Sequence, residues 1–176
     1  MTRRFYIRYP MLQWNDIKWF YGILLVAVVA IMVFNAFRRV DNTSFLPILV
    51  LDVLILAFFY VFRRLAYLEI SESLLKIRYL ARRLDLPYQA LSRVRKQPLQ
   101  VAFQAADRRR YVNRFVRRLS RDPAAYIRID RRQPEMIEQA RKRLGERFVF
   151  GVDLVVPITE LEEFLEEMRG RLRGAP

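Results

Sequence analysis

The sequence predicts an α+β membrane protein: an N-terminal transmembrane hairpin of two helices, then a cytoplasmic small β-sheet or barrel with a C-terminal helix. Three observations predict it. Two long apolar runs open the chain, most of the charge follows them, and alternating strand-like segments begin directly after the second run. The expected parts are an interfacial arm over 1–16, the hairpin over 17–64 and the domain over 65–173.

Between Trp19 and Phe37 the one clearly polar residue is Asn35, and between Phe45 and Phe62 it is Asp52. Each run can cross a hydrocarbon layer of roughly 30 Å at about 1.5 Å per residue. Buried helices of a soluble bundle carry polar residues at helical spacing, and these runs do not. Trp14, Trp19, Tyr60 and Tyr67 flank them as expected interface anchors, because amphipathic rings favour the headgroup level. A cleavable signal is not expected, since the first run is too long and ends in NAFRR without a small-residue cleavage site. The arm carries Arg3, Arg4, Arg8 and Lys18 against Asp16, and the second run exits into Arg63 and Arg64. The connecting loop holds Arg38 and Arg39 against Asp41. This bias predicts that both ends are cytoplasmic.

Cysteine and histidine are absent, which excludes disulfides, thiolate or imidazole metal sites and the Ser-His and Cys-His nucleophile pairs. The five glycines form neither a phosphate-binding loop nor a dinucleotide turn. Most carboxylates of the last third sit in ITELEEFLEEMRGRLR, where Thr159 and Glu162 read as a capping box opening a helix with a solvated acidic face. No catalytic residue, metal or cofactor is expected, and the chain is not read as an enzyme.

Charge divides the part beyond the hairpin. Residues 63–123 carry 16 Lys plus Arg against five Asp plus Glu, whereas 124–176 carry ten of each. Tethered beside a membrane, so basic a segment faces anionic headgroups, at about 1 kcal/mol for each nearby cation; nucleic acid is not expected. AYLEIS at 66–71 and LLKIRYL at 74–80 alternate apolar and polar residues around Glu72 and Ser73, the pattern of a β-hairpin. LDLPYQALSRVRK continues as strand, with Pro87 suited to an edge or strand end.

The order of these pieces, paired apolar helices and then YLEISESLLKIRYLARRLDLPYQALSRV, resembles the bacterial PH-like domains of small membrane proteins. Strands over Tyr67–Ser71 and Leu74–Leu80, a basic turn at Arg82–Arg83 and a strand over Leu86–Val94 carry the likeness. The closing FVFGVDLVVPITELEEFLEEMR is similar to that family's last strand and C-terminal helix. The resemblance implies a PH-like architecture in the inner membrane and no catalytic signature.

The middle departs from a plain run of strands. In residues 108–121 the apolar Tyr111, Val112, Phe115, Val116 and Leu119 recur at helical spacing against a face of arginines. PEMIEQARKRLG, 134–145, is a second amphipathic segment with Gly145 as C-cap. The first of these either lies on the bilayer or covers the sheet. The basic residues expected to face lipid or a partner are Arg63, Arg64, Arg82, Arg83, Arg108, Arg109, Arg110, Arg114, Arg117, Arg118 and Arg121.

Asp52 falls about 12 Å beyond Ser44 along its helix, close to the bilayer midplane, and Asn35 lies shallower by roughly 7 Å. A carboxylate there costs on the order of 3 kcal/mol to insert. Both residues are therefore expected at intramembrane contacts, Asp52 with another membrane helix. The arm 1–16 either lies along the interface or pairs as an extended segment with a sheet. The function expected is a non-catalytic membrane protein acting in protein contacts, as an accessory or assembly subunit of a larger complex or with a second copy of itself. The alternative is an autonomous module binding anionic phospholipid headgroups.

Overall fold

The structure is a computed structural model, and it describes residues 3–103, 118–146 and 148–174. The chain forms two compact units, Pro10–Arg64 on one hand and Met1–Tyr9 with Leu65–Pro176 on the other.

The first unit is a helical hairpin. Helix α1 spans Arg8–Phe37, and a 3-10 turn at Thr43–Phe45 leads into α2, Leu46–Arg64. Both helices are long and apolar enough to cross a membrane. Helix α1 ends with Arg39 in the left-handed region (φ 57°), while Arg39 N–H donates to Ala36 O at 3.1 Å and Val40 N–H to Asn35 O at 2.9 Å. That pair of bonds satisfies carbonyls which the helix end would leave open. Asp41 accepts the Thr43 N–H and hydroxyl, at 3.0 and 2.5 Å, and fixes the turn.

The second unit contains two antiparallel sheets. Strands β1 (Arg3–Tyr6), β2 (Ala66–Ile70), β3 (Leu74–Tyr79) and β4 (Arg82–Pro87) pair in the order β1-β2-β3-β4. Strands β5 (Leu91–Pro98), β6 (Pro123–Ile129), β7 (Val149–Phe150) and β8 (Asp153–Val156) pair in the order β5-β6-β8-β7. Helix α3, Pro134–Leu144, packs on β4 and β7, and helix α4, Leu161–Gly174, packs on β5 and β6. Both sheets and both helices share one apolar core. Alternation explains the strands: Ala66, Leu68 and Ile70 are buried while Tyr67 and Glu69 point the other way. Phe5 of β1 is fully buried and meets the Phe164 ring edge-on, with centroids 5.3 Å apart.

The hairpin of strands, the helix over 134–144 and the C-terminal helix stand where the sequence puts them. Gly145 has φ +85° and donates its N–H to Arg141 O at 2.9 Å, a C-cap that suits a residue without Cβ. Three expectations change. The sheets do not close into a barrel: the isolated bridge Ile7–Ile158 joins the residue after β1 to the segment after β8, outside both sheets, and α3 packs on the flank of β4. The capping box is not what holds Thr159, whose N–H and hydroxyl both donate to Tyr6 O, at 3.1 and 3.0 Å, while α4 begins at Leu161. Of the two placements open to the N-terminal arm, Arg3–Tyr6 takes the paired one, in register with Ile70–Tyr67 of β2. The basic helix expected over 108–121 lies, up to 117, outside the described residues.

Candidate functional site

Half-buried and buried residues of the hairpin recur at alternating steps of three and four. They include Tyr21, Leu25, Val28, Met32 and Asn35 on α1, and Phe45 of the 3-10 turn with Leu49, Asp52, Leu56 and Phe59 on α2. This is a coiled-coil seam, and the faces outside it are exposed and apolar, Ile23, Val26, Phe34, Leu51, Leu54 and Phe58 among them. Two contacts set its register: Trp14 and Tyr60 pack edge-on at 5.7 Å, and the Asn42 side-chain amide donates to Met32 O at 2.9 Å. By that register Asp52 lies at the level of Gly22.

Asp52 therefore belongs to the seam of its own hairpin. It is 2% exposed, and neither carboxylate oxygen has a hydrogen-bond partner among the described residues. A polar residue at one seam position fixes register at a cost in stability. Asn35 lies half-buried on the same seam, and its carbonyl serves the end of α1.

At the base of the hairpin, the Arg63 guanidinium lies 5.3 Å from the Trp14 ring and 4.9 Å from Tyr60, and Arg64 lies 5.8 Å from Tyr60. Such pairs keep a cation against an aromatic face, which suits a helix end passing from apolar to aqueous surroundings. Trp19 is 70% exposed, beside Lys18. Tyr67 lies on β2 instead of the hairpin, packed edge-on against Tyr6 under the Arg4 guanidinium.

Several carboxylates of the domain pair within its own framework. Asp153 on β8 receives Arg128 through Nε at 2.9 Å and Nη2 at 3.1 Å, and Arg95 at 3.0 Å. Burial pushes Asp153 up, but the two guanidinium groups outweigh it and leave the carboxyl below its ordinary range. Glu69 is likewise raised by burial and lowered further by Arg4 and Lys76, at 3.0 and 3.5 Å, with a net downward shift. On α4, Glu163 pairs with Arg3 and Glu162 with Lys96. No group of three or more Asp or Glu placed to hold a metal is found among the described residues.

Among the described residues, exposed cations without an ion pair gather where β4 meets the last turn of α3. Arg82 and Arg83 are exposed on β4, and Arg141, Lys142 and Arg143 are exposed on α3. Arg82 Nη1 donates to Leu144 O at 3.2 Å and Arg143 Nη1 to Arg83 O at 3.1 Å, so the two segments are bound together through backbone carbonyls. The sequence singled out Arg82 and Arg83 but missed the other three. Their signal was hidden, because the basic end of α3 and the acidic face of α4 cancel in the neutral total for 124–176. Arg118 and Arg121 are exposed, with Leu119 buried between them. Arg108, Arg109, Arg110, Arg114 and Arg117 lie outside the described residues.

A cleft of about 560 Å³ opens between the β2–β3 turn and the end of α4, lined by Ser73, Tyr88 and Arg171. Its tyrosine is already committed, since the Tyr88 hydroxyl donates to Ser71 O at 2.6 Å.

The chain is thus an α+β protein with an apolar helical hairpin joined to a domain of two open antiparallel sheets. Comparison with protein-family models, with curated proteins and with solved structures gives no match.

Proposed function

We propose that the chain is a non-catalytic PH-like domain protein, anchored in the cell membrane by its hairpin with both ends on the cytoplasmic side. It works through protein contacts, as an accessory or assembly subunit of a larger membrane complex. The observation that carries this reading is the path of the chain. It leaves β1, runs through the whole hairpin and returns as β2, the strand paired with β1 along its full length. The domain is consequently joined to the hairpin at two adjacent points, and β1 lies on the same side of any membrane the hairpin crosses as the rest of the domain. A double attachment limits the freedom that a single linker would leave, which favours a part that holds position among neighbours over one that searches for a ligand. Two four-stranded sheets on one core with a C-terminal helix support the PH-like assignment.

Native mass spectrometry of the tagged protein, extracted from its own membranes in mild detergent, tests the proposal. A stoichiometric set of other membrane proteins is the expected result. The chain alone, carrying anionic phospholipid, would replace it with the second reading, a module for anionic headgroups. That reading is favoured by the five exposed cations of β4 and α3.

A further inference from the structure

We infer that the β3–β4 turn and the last turn of α3 form a docking surface for an anionic phospholipid bilayer, with Leu80 as the residue that enters the headgroup layer. The inference rests on the lipid-binding reading and deepens it by assigning the surface.

Leu80 is the first residue of a two-residue loop, Leu80–Ala81, closed by the pair Tyr79–Arg82. Its φ is +57°, in the left-handed region that crowds a Cβ. The domain contains the same kind of loop between β7 and β8, where Gly151–Val152 is closed by Phe150–Asp153 and the first residue has φ +63°. At that turn the chain uses glycine, as the conformation favours. At β3–β4 it uses leucine, whose side chain is partly exposed, 37%, at the tip. A leucine kept at a left-handed, partly exposed turn position where the sister turn has glycine points to a role beyond the turn itself.

The surroundings say what that role requires. Arg82 and Arg83 follow the tip directly, and the two carbonyl bonds from Arg82 and Arg143 bring Arg141, Lys142 and Arg143 alongside. None of the five has an ion pair among the described residues. A guanidinium carries five N–H donors, so one bond to a carbonyl leaves most of the fork for phosphate oxygens. An apolar tip among cations matches the boundary between acyl chains and phosphates. A nucleic-acid backbone would use the cations and have no place for the leucine, and an acidic peptide would favour a groove over a projecting turn.

The test uses the full chain reconstituted in phosphatidylcholine bilayers with or without phosphatidylglycerol. Since the sequence has no cysteine, Ala81→Cys gives a single labelling site beside Leu80 that keeps the leucine. A fluorophore there is read by quenching from nitroxide-bearing lipid, with Glu166→Cys on the exposed face of α4 as control. Quenching at position 81 and not at 166, dependent on phosphatidylglycerol, is the expected result. Replacing Arg82, Arg83 and Arg143 with Gln should reduce the docked-to-undocked ratio about a hundredfold at low salt. Leu80→Gly should also abolish quenching while circular dichroism and melting show an intact fold.

Other outcomes separate the surface from the reading beneath it. If the chain enriches phosphatidylglycerol around itself but position 81 stays in water, lipid binding stands and this surface is wrong. If no preference for phosphatidylglycerol exists, both fall. Quenching that is equal in both bilayers, or that requires a co-purifying protein, overturns the assignment to anionic lipid.

Discussion

The N–H of Ile7 donates to the carbonyl of Ala66 at 3.1 Å, and the whole helical hairpin lies between those two residues. The strand pair β1–β2 thus closes a loop that contains both candidate membrane helices. Closing so long a loop costs entropy that local contacts do not return, so the buried side chain of β1 must supply it. On β1 that side chain is Phe5, fully buried against Phe164.

Phe5→Ala should destabilise the second unit by about 3 to 5 kcal/mol, the usual loss for a buried phenylalanine. Chemical denaturation of the full chain in detergent, followed by circular dichroism, measures it. A loss below about 1 kcal/mol would mean that β1 contributes little to the core.

The domain should lose stability on acidification. Glu69 and Asp153 titrate below their ordinary values of 4.5 and 3.8 in the folded chain. The unfolded chain therefore takes up protons first as the pH falls, and the stability these carboxylates contribute above about pH 5 is lost progressively below it. Melting temperature measured from pH 7 to pH 3 should fall in that window. Asp153→Asn should flatten part of the fall while lowering the plateau, because Arg95 and Arg128 lose their anion.

Asp52→Leu should raise the thermal stability of the hairpin, by about 1 to 3 kcal/mol, because an unpartnered carboxyl leaves the seam. It should also leave co-purifying partners in place, since Asp52 is enclosed by its own hairpin. Trp14, packed on Tyr60 at the base, gives a fluorescence signal for unfolding. Loss of the partners with retained folding would return Asp52 to an intermolecular contact.

The two short turns provide a reciprocal pair. Leu80→Gly should gain about 1 kcal/mol by relieving the left-handed backbone, and Gly151→Leu should lose about 1 to 2 kcal/mol by creating the same strain. Each is the first residue of a two-residue turn, and a Cβ at Gly151 would meet open space. A destabilising Leu80→Gly would show that the leucine serves the fold.

Local pattern made much of this protein legible. The two apolar runs, the alternation in AYLEI and LLKIRY, and the spacing of Met136, Ile137, Ala140 and Leu144 each depend on neighbours within a few residues, and each element stands where that pattern puts it. Tertiary structure alone decided the rest. Arg3–Tyr6 of the arm became β1 because its partners lie beyond the hairpin, a pairing no local period encodes, while the arm from Arg8 on continues as α1. Asp52 turned inward because the heptad register of two helices, not the depth of one residue, sets which side faces the seam. The cations of α3 joined Arg82 and Arg83 because packing brings distant segments together, whereas charge counted along the chain averages them with the acids of α4.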